Sequence, residues 1–300
     1  MNAKPPISAY VPCYNNADSL SRVIRSILAQ THAVAEVLVV DDGSRDGSAA
    51  VARGLGARLV SHPVNLGRGA ARARAMLEAQ HEFVLCCDGT KPIQETFVEG
   101  ALRWFARDNV AAVFGALVQQ EPTTVAHRWR GRHLFKHCSA YLETHSEYFA
   151  TYGAVVRKSA VMQVGNYNPG LRDNEDGDLG ARLRAGGYEL ISDRNILIFE
   201  VATDSVGRVL ERDWRWRRWN GGRGEDRSWG GYLRSALRSV SDMAKEDLRS
   251  LDFGSVPVSL LSPHYRFWRS RWRDCTAAAA STPPGSGAPV PPWRGGPLRL

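Results

Sequence analysis

The sequence predicts an α/β fold: a mostly parallel, doubly wound sheet with a helical carboxyl-terminal extension. Three observations carry this. Short apolar runs such as "ISAYV", "EVLVV" and "FVLCC" lack polar alternation, as strands covered on both faces do. Amphipathic stretches separate them with short connections, the pattern of strand–helix–strand units. Polar stretches follow the strands directly: "PCYNN", "DDGS" and "DGT". In open α/β sheets ligands bind beyond the carboxyl ends of the strands, so these three should line one crevice.

Taken in order, residues 7–11 read as a buried strand. Asp18 is placed to cap a helix through about Gln30, with Leu20, Val23, Ile24, Ile27 and Leu28 on one face. Residues 36–40 form the next strand. "SRDGSAAVARGLG" is a helix closed by Gly54 or Gly56, and "ARLVS" a strand. "GRGAARARAMLEAQ" is a helix with alanine and leucine on one side and arginine on the other. Residues 82–87 make a strand ending at Asp88, "QETFVEGALRWFA" a helix and "VAAVFGALV" a strand. Beyond residue 120 the alternation fades. An acidic cluster at 173–178 precedes a helix carrying Leu179 and Leu183 and ending at Gly186-Gly187, with its acids where the helix dipole favours them. Residues 208–238 hold nine arginines against four acids, interleaved with Trp214, Trp216, Trp219 and Trp229. The Pro/Gly/Ala-rich residues 275–300 read as a disordered tail.

Composition narrows the function. The 300 residues carry a net charge of +8, which suits an anionic partner. Five cysteines without a C-x-x-C read as reduced thiols, and the amino terminus has no signal-peptide core. No apolar run approaches the ~18 residues of a membrane span. A cytoplasmic protein is expected, with peripheral contact at the inner membrane surface open to it. No nucleic-acid module is present, and no G-x-G-x-x-G follows the first strand, against a dinucleotide oxidoreductase.

Adjacent Asp41 and Asp42 at a strand end repel unless something answers them. They cap a turn, or they accept hydrogen bonds from a base or ribose. Asp42-x-Ser44-x-Asp46-Gly47 imitates a calcium loop, but Arg53 holds the twelfth position, which needs Glu.

"YVPCYNNADSLSRVIRSILAQT", "EVLVVDDGSRDGS", "NLGRGAARARAM", "FVLCCDGT" and "NEDGDLGARLRAGGYEL" follow one another in the order of family 2 glycosyltransferases, the inverting enzymes of the GT-A fold. The chain resembles that family over about residues 7–200. The resemblance implies a GT-A domain over 1–205, with a nucleotide-binding half to about 120 and an acceptor-side half over 121–205. A basic, Trp-rich helical extension over 206–274 follows. It also implies a nucleotide-sugar donor, UDP-linked, and a sugar, lipid-linked or other hydroxyl acceptor. Pro12, Tyr14 and Asp42 would line the base and ribose pocket with Asp41 beside them, Gly67 would allow close backbone approach, and Arg72 would lie near the nucleotide. Asp176 would be the general base, with Glu175 and Asp178 orienting and capping. Arg212, Arg215 and Trp216 resemble faintly the Q-x-x-R-W of chain-extending members, and this stretch either packs on the domain or docks an anionic acceptor.

The family's Asp-x-Asp holds Mn²⁺ or Mg²⁺. Here Asp88 is present but Thr90 replaces the second aspartate, and a hydroxyl is a poor ligand for such ions. Glu200 stands where some members place a metal-reaching histidine. Asp88 and Glu200 would then share the cation; otherwise Glu200 merely ends a strand. The same Thr90 substitution supports an alternative, a donor-binding partner subunit that has lost turnover.

Overall fold

The structure, a computed structural model, describes residues 4–135, 149–220 and 228–280. Seven strands form one sheet in the order β3-β2-β1-β4-β6-β5-β7. They are β1 (Ile7–Cys13), β2 (Glu36–Asp41), β3 (Arg58–Ser61), β4 (Phe83–Cys87), β5 (Val110–Gln119), β6 (Gly153–Arg157) and β7 (Glu189–Glu200). Pairing is parallel except at β6, which runs antiparallel to both β4 and β5. The predicted mostly parallel sheet is therefore present, and β1 occupies its interior with every residue but Pro12 buried.

Helices α1 (Ala17–Leu28), α2 (Ser48–Gly54) and α3 (Arg68–Glu78) connect the first four strands. Leu20, Val23, Ile24 and Ile27 are buried on α1, but Leu28 is exposed. Asn16, not Asp18, is the N-cap residue of α1, and Asp18 lies in its first turn. On α3 the predicted division is inverted at two positions: Leu77 is exposed and Arg72 is buried, because ionic partners inside the fold claim the arginine.

The predicted helix over "QETFVEGALRWFA" is shorter. Helix α4 spans Phe97–Leu102 and tightens into a 3-10 turn over Arg103–Ala106. Gly100 lets it lie against β7, since a Cβ there would sit 2.3 Å from Ile196 Cγ2. Helices α5 (Val125–Trp129), α6 (Lys158–Gln163) and α7 (Glu175–Ala185) complete this part; of the acidic cluster, Asp173 precedes α7 as expected, while Glu175, Asp176 and Asp178 lie in its first turn.

The basic extension folds as α8 (Val206–Asn220), α9 (Trp229–Arg238), α10 (Lys245–Arg249) and α11 (Val256–Ala280). Helix α11 thus runs past residue 275; the rest of the expected disordered tail lies outside the described residues. The extension joins the main core through Val209, Leu210, Met243 and Val258. Polar ties also hold it. Trp129 donates to Ser259 at 2.8 Å, and Arg128 and Arg132 pair with Asp252 and Asp247. Asp247 is fully buried and also accepts from Ser259. Among the described residues no helix is long and apolar enough to cross a membrane.

Candidate active site

The carboxyl ends of β1, β2 and β4 deliver their polar stretches to one crevice, as predicted. Pro12, Tyr14, Asn16, Asp42, Gly67 and Asp88 line a cavity of about 380 Å³ that Thr90 and Lys91 close. Tyr14 is exposed at its rim. Asp41 is buried and accepts from the Ser44 amide at 3.1 Å, a turn role. Asp42 is buried and accepts three bonds: from the Leu66 amide at 2.9 Å, the Gly67 amide at 2.8 Å and His62 Nδ1 at 2.8 Å. It pins the loop between β3 and α3 while lining the crevice. Gly67, the N-cap residue just before α3, has φ +100, in the left-handed region that favours glycine.

Arg72 is the hub. It is 2% exposed, and its guanidinium donates to four parts of the chain, the Tyr10 hydroxyl among them at 3.3 Å. Nε donates to Glu175 at 3.2 Å, one terminal nitrogen to the Thr151 carbonyl at 3.0 Å and the other to Asp88. Arg74, by contrast, is half-exposed and pairs with Glu78 one turn on. A buried arginine with several fixed acceptors is a rigid brace, since its planar fork matches carboxylates and cannot lose its charge.

Asp88 is answered on both oxygens, by Arg72 on one and by Lys91 Nζ at 2.8 Å on the other. Burial would raise its pKa, but Lys91 and Arg72 outweigh burial and hold it well below the usual carboxylate range.

On the other side of Asp88 lies a second cavity of about 180 Å³. Its walls include Arg68, Arg72, Asp88 and Lys91, then Glu175 and Asp176 from the start of α7, and Arg212, Arg215 and Trp216 from α8. Glu175 is 2% exposed; one carboxylate oxygen meets Arg72 while the other has no hydrogen-bond partner. Among the described residues Asp176 accepts one hydrogen bond, from its neighbour Gly177 at 2.9 Å. Burial, and then the Glu175 carboxylate, push its pKa up to about 6. Asp178 turns away to pair with Arg182 at 2.6 Å along the helix. Trp216 packs near Phe135 at 6.2 Å between ring centres.

The expectation that Asp88 and Glu200 share a divalent cation meets a different arrangement. Glu200 is fully buried, with one oxygen on Arg212 at 2.7 Å and the other on the Ala202 amide at 3.1 Å. Despite burial, Lys91, Arg212 and Arg130 keep its pKa low. Both carboxylates are thus already neutralised by protein cations. Among the described residues no group of three or more His, Cys, Asp or Glu could hold a metal ion. The donor set of one paired carboxylate and one hydroxyl does not fit Mn²⁺ or Mg²⁺, which prefer several oxygen ligands with carboxylate charge among them.

Sequence reasoning passed over Lys91, Arg68 and Tyr152. Lys91 carried a readable signal: a cation three residues after Asp88, before Pro92, at a strand's carboxyl end. Tyr152 carried none.

A doubly wound, mostly parallel sheet with a polar crevice at its strand ends, beside the acids Glu175 and Asp176 that open α7, is the architecture of the GT-A fold. The model of glycosyl transferase family 2 matches residues 8–165, and the chain belongs to that family. It is 28% identical over 204 residues to the succinoglycan biosynthesis protein ExoA of Rhizobium meliloti, covering 63% of this chain and 61% of that one. It is 30% identical over 100 residues to a cholesterol galactosyltransferase of Borreliella burgdorferi, covering 32% and 28%. The chain thus spans under two thirds of each relative's length. In fold it resembles the mannosyltransferase PcManGT of Pyrobaculum calidifontis, solved with GDP-Man and Mn²⁺, at a TM-score of 0.55 and 17% identity, covering 94% of this chain and 77% of that one. It also resembles S. aureus TarS residues 1–349, solved with UDP-GlcNAc, at 0.53 and 17%, covering 71% and 66%.

Proposed function

We propose that the chain transfers a sugar from a nucleotide-diphosphate donor, UDP-linked, to a hydroxyl acceptor with inversion at the anomeric carbon. The observation that carries this is the placement of Asp176. It stands on the wall of a cavity whose Arg68, Asp88 and Lys91 also line the nucleotide crevice. Its carboxyl is raised to about 6, so it is ionised at neutral pH yet basic enough to take a proton. An acceptor hydroxyl there would lose its proton to Asp176 as its oxygen attacks the anomeric carbon. The orphan oxygen of Glu175 offers a second acceptor to orient the incoming sugar.

Donor classes support the reading at the level of fold: both structural neighbours named above carry nucleotide-linked sugars. A thermal-shift panel of nucleotides and nucleotide sugars tests it, because a ligand that binds only the folded state raises stability by mass action. UDP-linked donors should raise the melting temperature most; no shift with any nucleotide sugar would sink the proposal.

The acceptor side suggests a lipid-linked acceptor at a membrane surface. Helix α9 buries none of its residues. Trp229, Leu233 and Leu237 are 58%, 57% and 70% exposed at four-residue spacing, beside exposed Arg234 and Arg238. An apolar stripe flanked by arginine suits the interface of an anionic bilayer. Sedimentation with vesicles holding an anionic lipid, but not with neutral ones, is the expected result. Equal recovery with both, or with neither, would count against the contact.

A further inference from the structure

The cationic charge at the strand ends is laid out where a donor's diphosphate would lie. Among the described residues Lys91 is the one lysine that lines either cavity, and it lines both. Its side chain is 10% exposed, with Nζ 2.8 Å from Asp88 and 5.5 Å from the centre of the Tyr152 ring. Packing against Tyr152 and the turn bond from its own amide to the Asp88 carbonyl, 3.1 Å, hold the ammonium in place before any ligand arrives. Arg68 and Arg72 line the same walls. Meanwhile Thr90 removes a charged ligand, and both oxygens of Asp88 and of Glu200 are engaged by other donors.

We propose that Lys91, backed by Arg68 and Arg72, supplies the positive charge that meets the donor's diphosphate, so that donor binding needs no divalent cation. This rests on the donor reading above. An ammonium has three N–H donors. One is used by Asp88, which leaves two for phosphate oxygens. Lysine serves phosphate as a compact point charge, and a charge fixed in advance stabilises a leaving group without reorganisation. During transfer the bond from the anomeric carbon to the phosphate oxygen breaks and its electron pair stays on the diphosphate, facing Lys91. The acceptor oxygen forms the new bond, and its proton passes to the Asp176 carboxylate. Asp88 becomes the residue that aims Lys91, not a metal ligand.

Calorimetric titration of the purified full chain tests this, with UDP and GDP as probes and the nucleosides uridine and guanosine as controls for the base pocket. The chain is stripped with EDTA and measured with and without added Mn²⁺. One nucleoside diphosphate is expected to bind with affinities that agree within about twofold in the two conditions. Lys91→Ala should weaken that affinity by about tenfold or more, the scale of one lost charge-assisted contact of roughly 1.5–3 kcal/mol, while nucleoside binding stays unchanged. Lys91→Arg should keep most of it. Circular dichroism and the melting temperature confirm that each variant folds. Binding by the parent chain that appears only with Mn²⁺ would overturn the proposal, as would a folded Lys91→Ala that binds the diphosphate as tightly as the parent. Failure of every nucleoside and nucleoside diphosphate to bind, with or without Mn²⁺, would instead remove the donor reading on which the proposal stands.

Discussion

The two sides of the Asp88 wall treat carboxylates in opposite ways. On the crevice side Asp88 is matched by Arg72 and Lys91 and held well below the usual range, against the pull of its partial burial. In the second cavity Asp176 has one backbone donor among the described residues, and burial with the nearby Glu175 raises it to about 6. Burial alone does not decide a carboxylate's role; the local count of cations and donors does. A carboxylate saturated with cations orients them and stays an anion. One left short of partners is positioned to take a proton. The same chain builds both from neighbouring elements because Arg72 spends its fork on Asp88 and Glu175 and gives Asp176 no hydrogen bond.

The sharpest way to break this contrast is at the proton acceptor. Asp176→Asn should lower turnover by about 10²–10⁴-fold, the usual reach of general-base catalysis, while donor affinity stays near that of the parent. A variant retaining a tenth of parental turnover would show that Asp176 is not the base.

Removing the brace comes next. Arg72→Met should destabilise the fold by about 3–5 kcal/mol, the scale for stranding buried charges, because Asp88 and Glu175 lose a shared partner. Chemical denaturation measures it. A loss below about 1 kcal/mol, within the range of an ordinary exposed pair, would mean the network carries little.

Titration sharpens the contrast without mutation. A base must be ionised, and the folded-state pKa of Asp176 lies above the ordinary aspartate value. Activity should therefore be half-maximal at about 6, approach its plateau about one unit higher, and fall roughly tenfold per pH unit well below it. Asp88, held low, should contribute no step in that window. A profile flat down to pH 5 would contradict the assignment.

The smallest effect separates two loop aspartates. Asp42→Ala should weaken nucleotide binding more than Asp46→Ala. Asp42 lines the crevice and holds the Leu66 and Gly67 amides that shape it. Asp46 accepts from the Ser48 amide at 3.0 Å and the Ala17 amide at 3.0 Å, helix-start roles worth about 1 kcal/mol of stability. Equal donor affinities in isothermal titration would argue against this assignment.

Much of the site was legible in the chain because its residues sit at fixed offsets from strand ends. Asp42 follows β2, Asp88 follows β4, and Glu175 with Asp176 opens a helix whose first turn favours acids. Periodicity misplaced Leu28 and Leu77, which are exposed, since it reports a face without saying how far a neighbour covers it. Counting along β7 found Glu200 but not its direction: the side chain meets Arg212 from α8, twelve residues on and on another element.

The sequence by itself determined the strand–helix alternation, the crevice at the strand ends, and the acids that stand there. These depend on short-range rules: the period of apolar residues, the turn residues after each strand, the charges preferred at a helix start. Only the tertiary structure decided which acid keeps its proton affinity and which surrenders it. That choice depends on how many cations reach each carboxylate from distant parts of the chain. Asp88 is met by Arg72 from α3 and by Lys91 from the turn beyond β4, while among the described residues no cation pairs with Asp176. Electrostatic energy follows distance and burial in space, and neither is written in the spacing of residues along a chain.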